Sequence, residues 1–116
     1  MLGLNTEQRF CAEKTLAAGD ASKELVAANA AVQIVVTYVH SVGLVAAVAQ
    51  TVYVGDSSGT VKVLSLPASI PVLGQEHTIG PLTEGIKLTK GESLTIIPAI
   101  AGPSIHVVVE GYLLRS

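Results

Sequence analysis

Aromatic and charged side chains are both scarce in this chain. Its 116 residues include one Phe, three Tyr and no Trp, and only 14% are charged although 49% are hydrophobic. Soluble domains usually carry about 25% charged residues. This number of charged residues is too small to cover the surface of a monomer. We therefore expect other subunits to cover part of that surface.

Basic patches, disulfides and membrane-length segments are missing as well. The seven basic and nine acidic residues form no run of either sign, which argues against a nucleic-acid partner. Cys11 is the only cysteine, so no intrachain disulfide is possible. No apolar run reaches the ~18 residues of a membrane helix, and the N-terminus lacks the pattern of a signal peptide. We therefore expect a soluble protein, made in the cytoplasm, without a membrane partner.

Motifs for catalysis and metal binding are absent from the sequence. It contains no G-x-S-x-G elbow, phosphate-binding loop or dinucleotide glycine fingerprint. The three histidines, His40, His77 and His106, lack metal-ligand spacing. His40 and His106 both lie on predicted strands, so the fold could still bring these two together. Cys11 has no nearby cation in sequence to activate it, which favours a small strand residue. We expect no catalytic residue, no metal, no cofactor and no enzyme activity.

The GDSSG stretch at Gly55–Gly59 matches a serine-protease active-site segment in letters only. Such proteases are about twice as long and need a His and an Asp upstream in the right context. Because apolar alternation flanks the stretch on both sides, it predicts a hairpin loop instead.

Alternation with a period of two is the strongest positive signal in the chain. Residues 104–114 alternate Ile105, Val107 and Val109 with polar side chains, as a half-buried antiparallel strand requires. We predict that this strand forms a hairpin with 93–97. Residues 21–28 have helical propensity, but a sandwich favours a strand near 24–27, which we prefer. In all, we predict seven to nine strands, near 9–16, 24–27, 31–42, 46–54, 60–66, 76–79, 86–89, 93–97 and 104–114.

These strands predict an all-β, single-domain antiparallel β-sandwich. A jelly-roll-like arrangement is our first interpretation, and an immunoglobulin-like sandwich is the alternative, because spacing does not give the strand order. We divide the chain into an N-terminal arm at 1–10 and a β-sandwich domain at 11–116.

Several segments together give the chain a resemblance to small virion proteins of tailed bacteriophages. They are the apolar, low-charge arm Met1–Phe10, the Val-rich strand Gln33–Val39, the Gly55–Gly59 hairpin, the crossover at Gly80–Leu82, and the closing Gly91–Tyr112 unit. The pattern is similar to that of capsid decoration (cement) proteins and related head or fibre domains. The resemblance covers most of the chain but contains no diagnostic motif.

The resemblance implies a non-enzymatic decoration protein. It implies a homotrimer on the major capsid protein lattice, located at the virion surface and stabilising the shell against DNA pressure. The alternatives are a fibre or receptor-binding head module that recognises a glycan or cell-surface ligand, and a small enzyme. The candidate subunit or capsid contacts are Leu2, Leu4, Phe10, Val35, Val39 and Val108, and for each of them ordinary core packing is the competing interpretation.

Overall fold

In a computed structural model, nine β-strands account for most of the described chain. The structure describes residues 7–17, 21–45, 50–69, 76–98 and 104–115, and among these there is no helix, hence none that could span a membrane. The strands are β1 Glu7–Leu16, β2 Lys23–Val26, β3 Val32–Val45, β4 Gln50–Asp56, β5 Lys62–Ser69, β6 Glu76–Ile79, β7 Ile86–Lys87, β8 Leu94–Pro98 and β9 Ser104–Arg115.

The strands form two antiparallel sheets that pack face to face. Sheet A has five strands in the order β1-β9-β3-β6, with β7 also paired to β3, and sheet B has the order β2-β8-β4-β5. The pairing is nested along the chain: the first strand pairs with the last, β2 with β8, β3 with β6 and β4 with β5. The predicted antiparallel β-sandwich is therefore confirmed.

The predicted hairpin between 93–97 and 104–114 is wrong. These segments are β8 and β9, and they lie in different sheets. β8 pairs with β2 and β4 in sheet B, whereas β9 pairs with β1 and β3 in sheet A. A short connection with prolines suits a passage between two sheets as well as a turn within one. The alternation of the strands does not distinguish these cases, because it reports only which face is buried.

The core lies between the sheets and consists of aliphatic side chains. Sheet A contributes Leu16, Ile34 and Val107, and sheet B contributes Leu94 and Ile96, all at most 1% exposed. Val and Ile suit this position because their branched side chains pack well on a pleated surface. The core therefore needs no large aromatic residue, in agreement with the composition.

A β-bulge in the middle of β3 changes which side chains face the core. Val36 pairs with Gly111 and Tyr38 with Glu110, so Thr37 is an extra residue in the ladder. An extra residue shifts the alternation by one position. Tyr38 consequently does not share the face of Val36, and Val39 lies in the core.

Most other predicted strands agree with the structure. β1, β6 and the long β3 lie where they were predicted, and the strand that was preferred near 24–27 is present as β2. The buried Leu25 accounts for the last result, since packing on β8 and the core outweighs a weak helix propensity. Residues 7–10, assigned to the arm, already belong to β1 and pair with β9, while residues 1–6 lie outside the described part.

Candidate functional site

The outer face of sheet A carries most of the chemically interesting side chains. It is the face turned away from the core, and the register places cross-strand pairs on it. Arg9 lies opposite Tyr112, Cys11 opposite Glu110, and Glu13 opposite Val108. None of these side chains belongs to the core cluster. β9, which β1 and β3 flank, forms the middle of this surface.

His40 lies on β3 within a small polar network on this face. Its Nδ1 is 2.8 Å from Oγ1 of Thr78, and its Nε2 is 2.9 Å from Oε1 of Glu76. Both partners come from β6, which pairs antiparallel with β3. The two contacts orient the imidazole ring from both of its nitrogens.

His106 on β9 has a matching environment. Its Nδ1 is 2.8 Å from Oγ1 of Thr15, and its Nε2 is 3.8 Å from Oε1 of Glu13. Both partners come from β1. Each histidine thus lies between a threonine hydroxyl and a carboxylate of a neighbouring strand.

The fold brings His40 and His106 onto the same face. His40 lies opposite Val108 and His106 opposite Val42, so the two histidines are diagonal neighbours across β3 and β9. His77 lies opposite Ser41, a position of the other face. Within the described residues no group of three or more potential ligands could hold a metal ion. Each of the two histidines takes part in polar contacts with a neighbouring strand on this face.

The predicted contact residues fall into three groups. Val108 is half-buried on the outer face of sheet A, and Phe10 is half-buried at the rim of the core. Val35 and Val39, predicted to point outward, are 0% exposed. Leu2 and Leu4 lie outside the described residues.

The burial of Val35 and Val39 has separate causes. Val39 is in the core because of the bulge at Thr37. Val35 is covered by the segment that precedes β7, and a Cβ added at Gly85 would lie 2.7 Å from its Cγ1. Both valines are therefore buried within a single copy of the chain.

A shallow cleft of about 440 Å³ opens at one end of the outer face. Its lining includes Arg9, Tyr38, Leu82, Glu110 and Tyr112. The guanidinium carbon of Arg9 lies 5.8 Å from the centroid of the Tyr112 ring, within range of a cation–π contact. The hydroxyl of Tyr112 donates to the backbone oxygen of Glu84, 3.3 Å away. The cleft thus offers two aromatic rings and charges of both signs, but no nucleophile with an activating base.

The GDSSG stretch forms the end of the β4–β5 hairpin, as predicted, and its Asp56 is fully buried. Both carboxylate oxygens accept from the backbone N–H of Val61 at 3.2 Å. Oδ2 also accepts from the hydroxyl of Thr89 at 2.7 Å and from its backbone N–H at 3.1 Å. Burial alone would raise the pKa of Asp56, but the donated hydrogen bonds outweigh it and lower the pKa below 3.8.

Glu92 holds the same loop from outside. Its Oε1 accepts from the backbone N–H of Ser58 at 2.7 Å and from the hydroxyl of Ser57 at 3.2 Å. Among the described residues neither Ser57 nor Ser58 is hydrogen-bonded to a histidine, as a hydrolase triad requires. The two carboxylates tie the hairpin end to residues 89–92. The sequence pointed to a turn here but not to the partner, because Thr89 is 33 positions from Asp56.

Comparisons with known proteins yield fold relationships only. No protein-family model matches the chain, and no curated protein matches it. A chain in the acidic stable capsid structure of Helicobacter pylori bacteriophage KHP30 superimposes with a TM-score of 0.55 and 16% identity, covering 95% of this chain and 94% of that one. The cyanophage Pam1 capsid gives a TM-score of 0.41 at 17% identity, covering 94% and 85%. The Drosophila NLP core gives 0.48 at 16% identity, covering 90% and 98%. Of these three, the KHP30 chain has a TM-score above 0.5, and the likeness shows a shared β-sandwich fold.

Proposed function

We propose that the chain is a non-enzymatic structural protein of a bacteriophage virion, and more narrowly a decoration protein on the capsid surface. One observation carries the proposal: the sandwich matches a chain of a phage capsid structure over nearly the full length of both. A fold alone does not specify a function. The proposal therefore also needs support from the chemistry of the surface.

The surface supports a role in assembly more than a role in catalysis. The described residues present no pocket in which a nucleophile meets an activating base, and the hydrogen bonds of the buried Asp56 hold the end of the β4–β5 hairpin. With 14% charged residues, the chain has few ionic groups to keep it apart from its neighbours. These properties suit a protein whose surface is covered by other subunits.

We propose that the chain is a homotrimer that binds the major capsid protein lattice without a cofactor. A three-fold ring closes through heterologous contacts, which require two different patches on each copy. The half-buried Phe10 and Val108 are our candidates for contacts among the described residues. The apolar Leu2 and Leu4 of the segment before β1 are further candidates.

The nested strand pairing supports a jelly roll over the immunoglobulin-like alternative. In an immunoglobulin sandwich the first strand pairs with the second in one sheet. Here β1 pairs with β9, and β2 lies in the other sheet beside β8. The nested pairs correspond to one long antiparallel hairpin that folds over to form two sheets. A double-sheet jelly roll is built in this way.

The test is the binding of purified chain to phage heads that lack it, measured by co-sedimentation. Saturation at a copy number set by the lattice supports the proposal. The variant Val108→Asp should lower the bound amount, because it introduces a charge at the centre of the outer face. The matched control Ala28→Asp adds the same charge at an exposed position between β2 and β3 and should bind normally. A chain that never binds heads contradicts the proposal.

The cleft beside Tyr112 favours a second candidate, a fibre or receptor-binding head module. Carbohydrate sites commonly contain aromatic rings that pack against the sugar, and Tyr38 and Tyr112 both line this cleft. A glycan microarray with the wild type and with Tyr112→Ala tests this function. Glycan binding by the wild type that Tyr112→Ala abolishes would support the receptor-binding module. If no glycan binds the wild type, this second candidate is rejected and the decoration role is the remaining proposal.

A further inference from the structure

β1 is a long edge strand of sheet A. It lies at the end of sheet A, and within the described residues its only ladder partner is β9. It spans ten residues without proline, whereas the edge strands β2 and β6 have four residues each and β5 contains Pro67. Every second residue of an edge strand directs its N–H and C=O away from the sheet, where another strand can bind them.

A second copy of β1 is a natural partner for such an edge. A two-fold axis perpendicular to sheet A would pair the strands antiparallel and keep both outer faces on the same side. Since this symmetry preserves the faces, each residue can lie opposite only a residue of the same parity. The register is then determined by the single residue that lies on the axis.

Charge and overlap together select one of these registers. An axis at Arg9 or Glu13 would bring identical charges face to face. An axis at Phe10 pairs Arg9 with Cys11, and an axis at Ala12 pairs Arg9 with Thr15, so neither joins opposite charges. An axis at Cys11 places each Arg9 opposite Glu13 of the other copy. An axis at Gln8 also joins opposite charges, Arg9 with Glu7, but it leaves only residues 7–9 of β1 facing each other. Opposite charges across a strand pair stabilise it, and like charges oppose it.

We propose that two copies of this chain pair through β1, antiparallel and with Cys11 on the two-fold axis. The pairing joins the two five-stranded sheets edge to edge and forms two Arg9–Glu13 pairs. Arg9, Cys11 and Glu13 are all exposed in the single chain, so the contact needs no rearrangement of the core. This contact is independent of the proposed function, since it concerns the strand edge alone.

Cys11 makes the register directly measurable. Residues opposite each other in an antiparallel pair have Cα atoms about 4.5–5.5 Å apart, within the range of a disulfide. Adding diamide to the reduced full-length chain should therefore link the two Cys11 thiols, with the diamide taking up the two electrons and two protons. The matched control is Thr15→Cys with Cys11→Ser, which puts an exposed thiol on the same face of β1 but about eight residue positions from its symmetry mate, roughly 27 Å.

The expected result is rapid, dilution-resistant cross-linking of the wild type and slow cross-linking of the control. Equal rates for both would overturn the proposal, because random collision then accounts for the disulfide. Under reducing conditions, Arg9→Glu should raise the dimer dissociation constant by on the order of tenfold or more, since it replaces attraction by repulsion twice per dimer. The double variant Arg9→Glu with Glu13→Arg should restore dimerisation.

This register would be excluded if Arg9→Glu had no effect on the dimer dissociation constant. It would also be excluded if the double variant dimerised as weakly as Arg9→Glu alone. Circular dichroism of each variant verifies that it is folded. Wild-type chain that stays monomeric at millimolar concentration and cross-links no faster than the control refutes the contact itself.

Discussion

Replacing Asp56 by Asn should destabilise the fold strongly although it removes no volume. The carboxylate is fully buried and accepts from Thr89 Oγ1, the Thr89 N–H and the Val61 N–H, and Ser58 Oγ adds a fourth donor at 3.2 Å. An amide keeps one accepting oxygen but turns an NH2 donor toward groups that are themselves donors. A hydrogen bond to a charged group contributes about 1.5–3 kcal/mol, and an unsatisfied buried donor costs about 1–3 kcal/mol. We expect Asp56→Asn to lose roughly 2–4 kcal/mol, a large part of a typical domain's stability.

The pH dependence of this loss has a definite sign. The pKa of Asp56 is lower in the folded chain than its ordinary value of 3.8, so the ionised form stabilises the fold. That contribution is complete above the unfolded pKa of about 3.9 and disappears as the pH falls through the lower folded value. The difference between wild type and Asp56→Asn should therefore be constant from pH 7 to about 5 and shrink below about 4.

Urea denaturation followed by circular dichroism measures both effects, with the m-value checked for constancy. Glu84→Gln is the control, because it makes the same chemical change at an exposed position and should cost under about 0.5 kcal/mol. If Asp56→Asn loses no more than this control, or if its loss is the same at pH 3 and pH 7, the carboxylate does not tie the hairpin to residues 89–92 as argued.

Two further comparisons test the packing. Gly111→Ala should cost about 1–3 kcal/mol or more, because its Cβ would collide with the backbone oxygen of Val35. Gly91→Ala should cost only about 1 kcal/mol, because its φ is 87° but no atom lies closer than 3.7 Å to the added Cβ. Equal melting temperatures of the two variants would contradict the close approach of β3 and β9. Ile96→Ala should cost roughly 2–5 kcal/mol as a cavity in the core, and Val108→Ala under about 1 kcal/mol as a half-exposed side chain; chemical denaturation would refute this assignment of faces if the order were reversed.

The sequence predicted the strands because burial on one face leaves a readable alternation. β1 and β3 follow from that alternation, whereas the strand near 24–27 was preferred over a helix because a sandwich favours a strand there, and the buried Leu25 accounts for the result. The alternation also placed His40 and His106 on candidate strands, although only the register of β3 with β9 makes them neighbours.

The features that escaped prediction depend on pairing across the chain. The sequence near Thr37 gives no signal of the bulge. The bulge arises because two residues of β3 lie opposite one residue of β9. The separation of β8 from β9 into two sheets likewise depends on β2 and β4 as partners. The Asp56–Thr89 bond joins two distant loops, so neither local propensity nor spacing reveals it.

The scarcity of charged residues leads us to expect that other copies of the chain cover part of its surface. The mass in solution, measured by light scattering behind a size-exclusion column across a dilution series, tests this most directly. A chain of 11.9 kDa predicts about 36 kDa for the proposed trimer, or about 71 kDa where the β1 contact joins two trimers. A mass of 11.9 kDa at every concentration would contradict the claim and leave the scarcity of charge without an explanation.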